Sequence, residues 1–189
     1  MTVNANRVIV GSNGSVHVAP VGTAEPADET AALNAAFKDL GYISEEGVLF
    51  NASPNVQDIL AWQTEFPIRS LTESRQGGLA FTMREWSGTN FKTAFGGGTQ
   101  TMPTAGHFKY VPPSGAQQIQ CVVVTWTDQP AATLLTYRLV VPRAQVVEPV
   151  EIPLRRAQSA GLAVTFRVLG STSGGDPWYL LTNDPFLAS

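Results

Sequence analysis

Between Gln57 and Gly98 the chain alternates apolar and polar residues over an unusual length, and this stretch limits the folds open to it. Leu60, Trp62, Thr64, Phe66 and Ile68 fall on one parity; Gln63, Glu65, Arg69 and Glu73 fall on the other. A period of two describes a strand with one buried face and one wet face. Ser74-Arg75-Gln76-Gly77-Gly78 reads as a turn, and Leu79, Phe81 and Met83 then resume the pattern against Thr82 and Arg84. The stretch predicts a β-hairpin whose first arm, Ile59 to Ser70, spans roughly 40 Å at about 3.3 Å per residue. Ordinary strands run to about five or six residues. Pro67 predicts a bulge or an edge position within that arm. Leu60, Trp62, Phe66, Ile68, Leu79, Phe81 and Met83 are the expected core of the hairpin.

The second arm runs into Glu85-Trp86-Ser87-Gly88-Thr89-Asn90, where Ser87 or Thr89 is placed to cap a short helix. Phe91 and Phe95, four apart, share one face of this flanking helix, and Gly96 to Gly98 end it. A hairpin followed by a small amphipathic helix lets the helix cover one sheet face while the other stays polar.

The rest of the chain is also strand-rich. Val8–Val10 and Val16–Ala19 flank Gly11-Ser12-Asn13-Gly14 and suggest an N-terminal hairpin, preceded by a loose polar arm, residues 1–6. Leu33, Ala36, Phe37 and Leu40 recur at three and four after the caps Asp28 and Thr30, which predicts a helix ended by Gly41. Tyr42–Phe50 reads as a strand split by Glu45-Glu46-Gly47, and Thr99–Gly106 as a loop before a short strand at Phe108–Val111. Ile119–Thr127 is apolar on both parities and so central, and Thr133–Val141 returns from it. Val146–Leu154 alternates, with Pro149 and Pro153 marking an edge. Leu162–Val168 and Trp178–Leu181 complete some ten strands. No linker or repeat divides the chain, so residues 1–189 are expected to form one all-β domain, a sandwich or barrel with one or two short helices.

Charged residues make up only 14 % of the 189 residues, and the net charge is −3. Basic residues do not cluster, which argues against tight nucleic-acid binding, since neutralising phosphates needs a basic stripe. The single cysteine, Cys121, lies in an apolar strand and reads as core. Neither an N-terminal signal segment nor an apolar run of about 20 residues is present, so no membrane is expected as a partner.

The sequence offers no catalytic, cofactor or metal constellation. His17 and His107 stand alone, without spaced Cys, Asp or Glu. Gly96-Gly97-Gly98 lacks the lysine and hydroxyl of a phosphate loop, and Glu45 and Glu46, adjacent in a strand, point to opposite faces. Trp62, Trp86, Trp126 and Trp178 are spread over different strands. An extended edge strand is a hazard for a monomer but an asset for a protein that polymerises.

The succession Gly41-Tyr42-Ile43-Ser44-Glu45-Glu46-Gly47-Val48, Ile59-Leu60-Ala61-Trp62-Gln63, Pro67-Ile68-Arg69, Leu79-Ala80-Phe81-Thr82-Met83-Arg84-Glu85 and Phe95-Gly96-Gly97 resembles the major tail (tail tube) proteins of long-tailed siphophages. The likeness is greatest to phages infecting actinobacteria and covers about Val8 to Gly98; each piece is short, and their order and spacing carry it. The resemblance implies a structural virion protein, not an enzyme, without cofactors and assembled in the host cytoplasm. Six copies would form a ring whose long strands join into an inner barrel, and stacked rings would make the tube. Tape-measure, tail terminator and baseplate or hub proteins would be its partners, and DNA would cross the lumen without specific binding. Gln63, Glu65, Arg69 and Glu73 become candidates for the lumen-facing parity. The N-terminal arm, Tyr42–Phe50 and the Ser74–Gly78 turn become candidates for ring-to-ring contact. The alternatives are another tail part of similar fold, a terminator or hub, and a carbohydrate-binding β-sandwich.

Overall fold

A computed structural model describes residues 5–130, 133–147, 150–157 and 159–187. Among them ten strands, every pairing antiparallel, make an all-β fold with one short α-helix. In chain order these are β1 (Asn13–Pro20), β2 (Lys38–Asp39), β3 (Ile43–Ile59), β4 (Arg69–Met83), α1 (Gly88–Ala94), β5 (Thr99–Thr104), β6 (His107–Val111), β7 (Ile119–Asp128), β8 (Leu135–Val146), β9 (Leu162–Val168) and β10 (Tyr179–Thr182). The main sheet runs β2-β1-β7-β8-β9-β4-β3, and β5 and β6 form a separate hairpin.

β8 turns this sheet into a sandwich-like body. Its first half, Tyr137–Val140, pairs with β10, while its last residues, Ala144–Val146, pair with β9. One strand therefore belongs to two layers, and the sheet folds over on its own apolar face. Val16 and Val18 of β1, Val122 and Val124 of β7, and Leu139 and Val141 of β8 meet Leu79, Phe81 and Met83 of β4 and Leu162, Val164 and Phe166 of β9 in one core. Phe166 is fully buried and stacks on Phe81 with ring centroids 6.0 Å apart. A smaller cluster on the opposite face of β1, β7 and β8 holds Ala19, Cys121, Val123 and Val140 under Phe37, with Leu33, Tyr179 and Leu181 at its edge.

Four expectations give way to the structure, each for a physical reason. The segment from Asp28 to Leu40 is a strap, not a helix. The Asp28 carboxylate accepts from the Thr30 and Ala31 amides, and Arg138 Nη1 takes the Asp28 and Ala31 carbonyls at 2.7 and 2.8 Å. The first turn of a helix would need those carbonyls, so side-chain competition diverts the backbone. Leu33, Phe37 and Leu40 are apolar because they cover core, not because they share a helical stripe.

Val8–Val10 does not pair with β1. Both edges of β1 are engaged, by β7 along its whole length and by β2 at His17 and Val18, so the preceding chain crosses to the end of β7, where the Val10 amide donates to Asp128 at 2.8 Å. Thr99–Thr104 is a strand rather than a loop, paired with β6. In Val146–Leu154 the strand ends at Val146, and residues 150–154 carry no ladder, though Val150 and Ile152 pack on the main core. Pro149, and residues 1–4 of the expected N-terminal arm, lie outside the described residues; Ala5–Arg7 form a 3-10 turn.

A candidate assembly surface

The long hairpin exists, but one strand earlier than the alternation placed it. Its arms are β3, 17 residues, and β4, 15 residues, registered from Ile43↔Met83 to Ile59↔Arg69. Leu60 to Ile68, expected as the first strand, is the tip: the Thr64 amide bonds the Ala61 carbonyl and the Ile68 amide closes on the Ile59 carbonyl. Pro67 lies in that tip, not in a ladder. Conversely, Ser74 to Gly78, expected as the turn, is the middle of β4. Gly77 and Gly78 are there for close approach. A Cβ on Gly78 would come within 2.7 Å of Asn51 Oδ1, and one on Gly77 within 2.9 Å of a Val168 methyl.

Two irregularities shape the hairpin. Between Ile43 and Val48 the register shifts by three extra residues on β3, forming a bulge at Ser44–Gly47 where the sequence predicted an interruption. Between Asn55↔Ser74 and Val56↔Thr72, Glu73 is the extra residue on β4. Residues beyond the body pair only within the hairpin: β9 covers β4 from Gly78 to Met83 and stops there. From Asn51 to Gln76 the chain is thus a two-stranded ribbon with exposed side chains, Ala61 excepted, which is half-buried. An isolated two-stranded ribbon is marginal in water, and its outer edges carry unpaired backbone groups. Pro54, without an N–H, is tolerated because its strand is an edge.

The tip is apolar and uncovered. Trp62 is 99 % exposed, Phe66 77 %, Leu60 67 % and Ile68 62 %. These four side chains were expected in the hairpin core, and the structure puts them in solvent; Leu79, Phe81 and Met83 are buried. Gln63 and Glu65 sit in the tip, Arg69 and Glu73 on β4, all exposed, so these four do not share one strand face. Single alternation did not distinguish a strand from an apolar loop, and the polar run Asn51–Asn55 hid a strand that is wet on both faces.

At the body end, Ser87 caps α1 by accepting from the Asn90 amide at 3.1 Å. Asn90, 1 % exposed, donates to the Leu40 and Glu85 carbonyls and ties the helix to the chain before β3. Phe91 and Phe95 flank the main core, their rings 6.1 Å apart and both against Tyr110. Gly41 adopts φ 71°, which favours glycine, and the Glu85 carboxylate occupies the space a Cβ would take while accepting from the Tyr42 amide at 2.9 Å.

The remaining residues singled out for chemistry are dispersed. His17 Nε2 is 3.8 Å from Asp39 on the neighbouring strand, and His107 is exposed on β6. Burial, with Glu25 nearby, pushes the Cys121 thiol up to about 12. Glu45 and Glu46 are exposed in the β3 bulge. Of the tryptophans, Trp126 stacks on Tyr137, while the exposed Trp62, Trp86 and Trp178 sit at the tip, before α1 and before β10. Among the described residues no three of His, Cys, Asp and Glu gather as a metal site.

A sandwich body that carries a long two-stranded ribbon with an exposed apolar tip defines the class of the fold: an all-β body with a projecting hairpin. The chain belongs to the phage tail tube protein family, whose model matches residues 1–189. No curated protein matches it. Its role is thus structural, in a phage tail.

Proposed function

We propose that this chain is the repeating subunit of a siphophage tail tube: one domain over residues 1–189, six copies to a ring, rings stacked around a tape-measure protein. The tube is capped by terminator and hub proteins, is assembled in the host cytoplasm, and passes DNA through its lumen. The observation that carries this reading is the ribbon Asn51–Gln76 with its exposed tip. Its free edges and four uncovered large side chains are a liability in a monomer and become satisfied when neighbours cover them. Head-to-tail contacts that close give rings, and further non-closing contacts stack them.

Within this reading Gln63, Glu65, Arg69 and Glu73 are the channel-side candidates. All four are exposed, and three are charged, two of them acidic, a mixture that does not hold a polyanion. Gln63→Lys and Glu65→Lys should slow or block genome delivery from assembled particles; unchanged delivery from both would remove the channel-side assignment.

A terminator or hub of similar fold is the second reading, and copy number separates the two. Quantitative mass spectrometry of purified particles should find this chain among the abundant structural proteins. A copy number near that of one ring would overturn the tube assignment in favour of the terminator.

A further inference from the structure

The strap from Asp28 to Leu40 carries both end signals of a helix without being one. Asp28 Oδ1 accepts from the Thr30 and Ala31 amides, the bonds that a capping residue makes to the second and third residues of a helix. Gly41, at φ 71°, holds the left-handed conformation of the glycine that follows a helix. Between them lie Ala31, Ala32, Ala35 and Ala36, the residue type with the highest helix propensity, and an apolar stripe at three and four, Leu33, Ala36, Phe37 and Leu40. Yet no residue from 28 to 40 is helical.

Long-range bonds hold the strap open-chained. Arg138, 7 % exposed on β8, donates Nη1 to the Asp28 and Ala31 carbonyls and Nε to Thr125 Oγ1. A helix would give those two carbonyls to the Ala32 and Ala35 amides instead. Just upstream, the Tyr179 hydroxyl of β10 donates to Glu25. The strap joins a ladder only at Lys38 and Asp39, beside β1. Beneath it Cys121, Val123 and Val140 are almost fully buried, with Leu181 and Tyr179 at the edge.

We propose that residues 28–40 are a two-state element: the strap is its closed state, and an amphipathic helix over the same residues is its open state. The exchange belongs to the single chain and does not depend on the tube reading. Leu40 is fixed at both backbone groups, its amide on the Val16 carbonyl and its carbonyl on Asn90 Nδ2. The helix, about 20 Å long at about 1.5 Å per residue, therefore draws in from the Asp28 end. Asp28 and Ala31 leave Arg138, and Glu25 leaves Tyr179. Leu33, Ala36, Phe37 and Leu40 keep one apolar face for the β1 and β7 side of the sheet. Cys121, Val140 and Leu181, on the side toward β8 and β10, lose their cover. The closed strap is thus an internal mask over an apolar face, and two packings of one segment need differ by only a few kcal/mol to exchange.

The test is maleimide labelling of Cys121 in the dilute full chain, at reagent concentrations where the rate is linear, together with circular dichroism at 222 nm. Cys121 is the single cysteine, 1 % exposed and beside Glu25, so it reports release of the strap. Arg138→Met should speed labelling on the order of 10-fold or more. It should also more than double the helical signal, because α1 has only seven residues. Ala32→Gly with Ala35→Gly, at two exposed positions, should slow labelling several-fold in the otherwise unchanged chain, since each glycine disfavours the helix. An unchanged rate in Arg138→Met would overturn the exchange. Faster labelling without a helical gain would show release into coil and overturn the helix. Unchanged or faster labelling in the glycine pair would overturn it as well, and that result stands even if Arg138→Met does not fold.

Discussion

Replacing Trp62 with serine should leave the stability of the folded chain unchanged and raise the concentration needed for assembly. Trp62 is 99 % exposed, so within one chain its removal takes away almost no packing. Exposed substitutions of this kind shift unfolding by no more than about 0.5 kcal/mol. In a contact that encloses the ring, about 200 Å² leaves water, worth about 5 kcal/mol at about 25 cal/mol per Å². Ordering the tip and its partner offsets part of that gain. A net loss of about 3 kcal/mol per contact, within the range of interface hot spots, raises the critical concentration on the order of 100-fold. The assay pairs thermal unfolding of the dilute protein with sedimentation across a concentration series. Assembly at the unsubstituted concentration would refute the claim that the tip is an intermolecular contact. A large drop in Tm would refute it differently, by showing that the ring packs inside its own chain.

Gly41→Ala should destabilise the fold by about 2–3 kcal/mol, combining the cost of a left-handed non-glycine residue with displacement of the Glu85 carboxylate, and Tm should fall by roughly 5–10 °C. An unchanged Tm would contradict the role given to this glycine. Arg138→Met should release the strap at Asp28–Ala31, costing about 2 kcal/mol and opening residues 28–33 to limited proteolysis; resistance equal to that of the parent would contradict it. Burial, followed by the hydrogen bond to Asp184, raises the Tyr137 hydroxyl from 10.0 to about 12. A neutral acid whose folded pKa lies above its unfolded one contributes stability that is full below pH 10 and lost as pH rises toward 12. Urea midpoints at pH 8 and pH 11 should therefore diverge, and Tyr137→Phe should reduce the divergence; an undiminished divergence would place the titrating group elsewhere.

The sequence reading reached the body of the fold more surely than the assembly surface, for physical reasons. Ile119–Asp128 and Leu162–Val168 are legible because a buried strand must be apolar, on both faces in the first and on one in the second. Ser87, Phe91 and Phe95 are legible because capping and the four-residue repeat are local rules. The hairpin shift arose where local rules are ambiguous. Gly77-Gly78 satisfies a turn and also a tight crossing with Asn51 and Val168, and only the packing tells them apart. Leu60, Trp62, Phe66 and Ile68 carry the alternation of a buried strand but sit in an exposed tip, and spacing alone does not tell the two apart. The strap at Asp28 was read as a helix because the guanidinium that captures its carbonyls lies about a hundred residues away, on β8.

Electron microscopy of the purified full-length chain, negatively stained over a range of concentrations, addresses the central claim most directly. The account predicts hollow tubes or stacked rings of uniform diameter with a central channel, appearing above a critical concentration. A folded chain that stays monodisperse and monomeric at every concentration, alone and with its tape-measure protein, would contradict it.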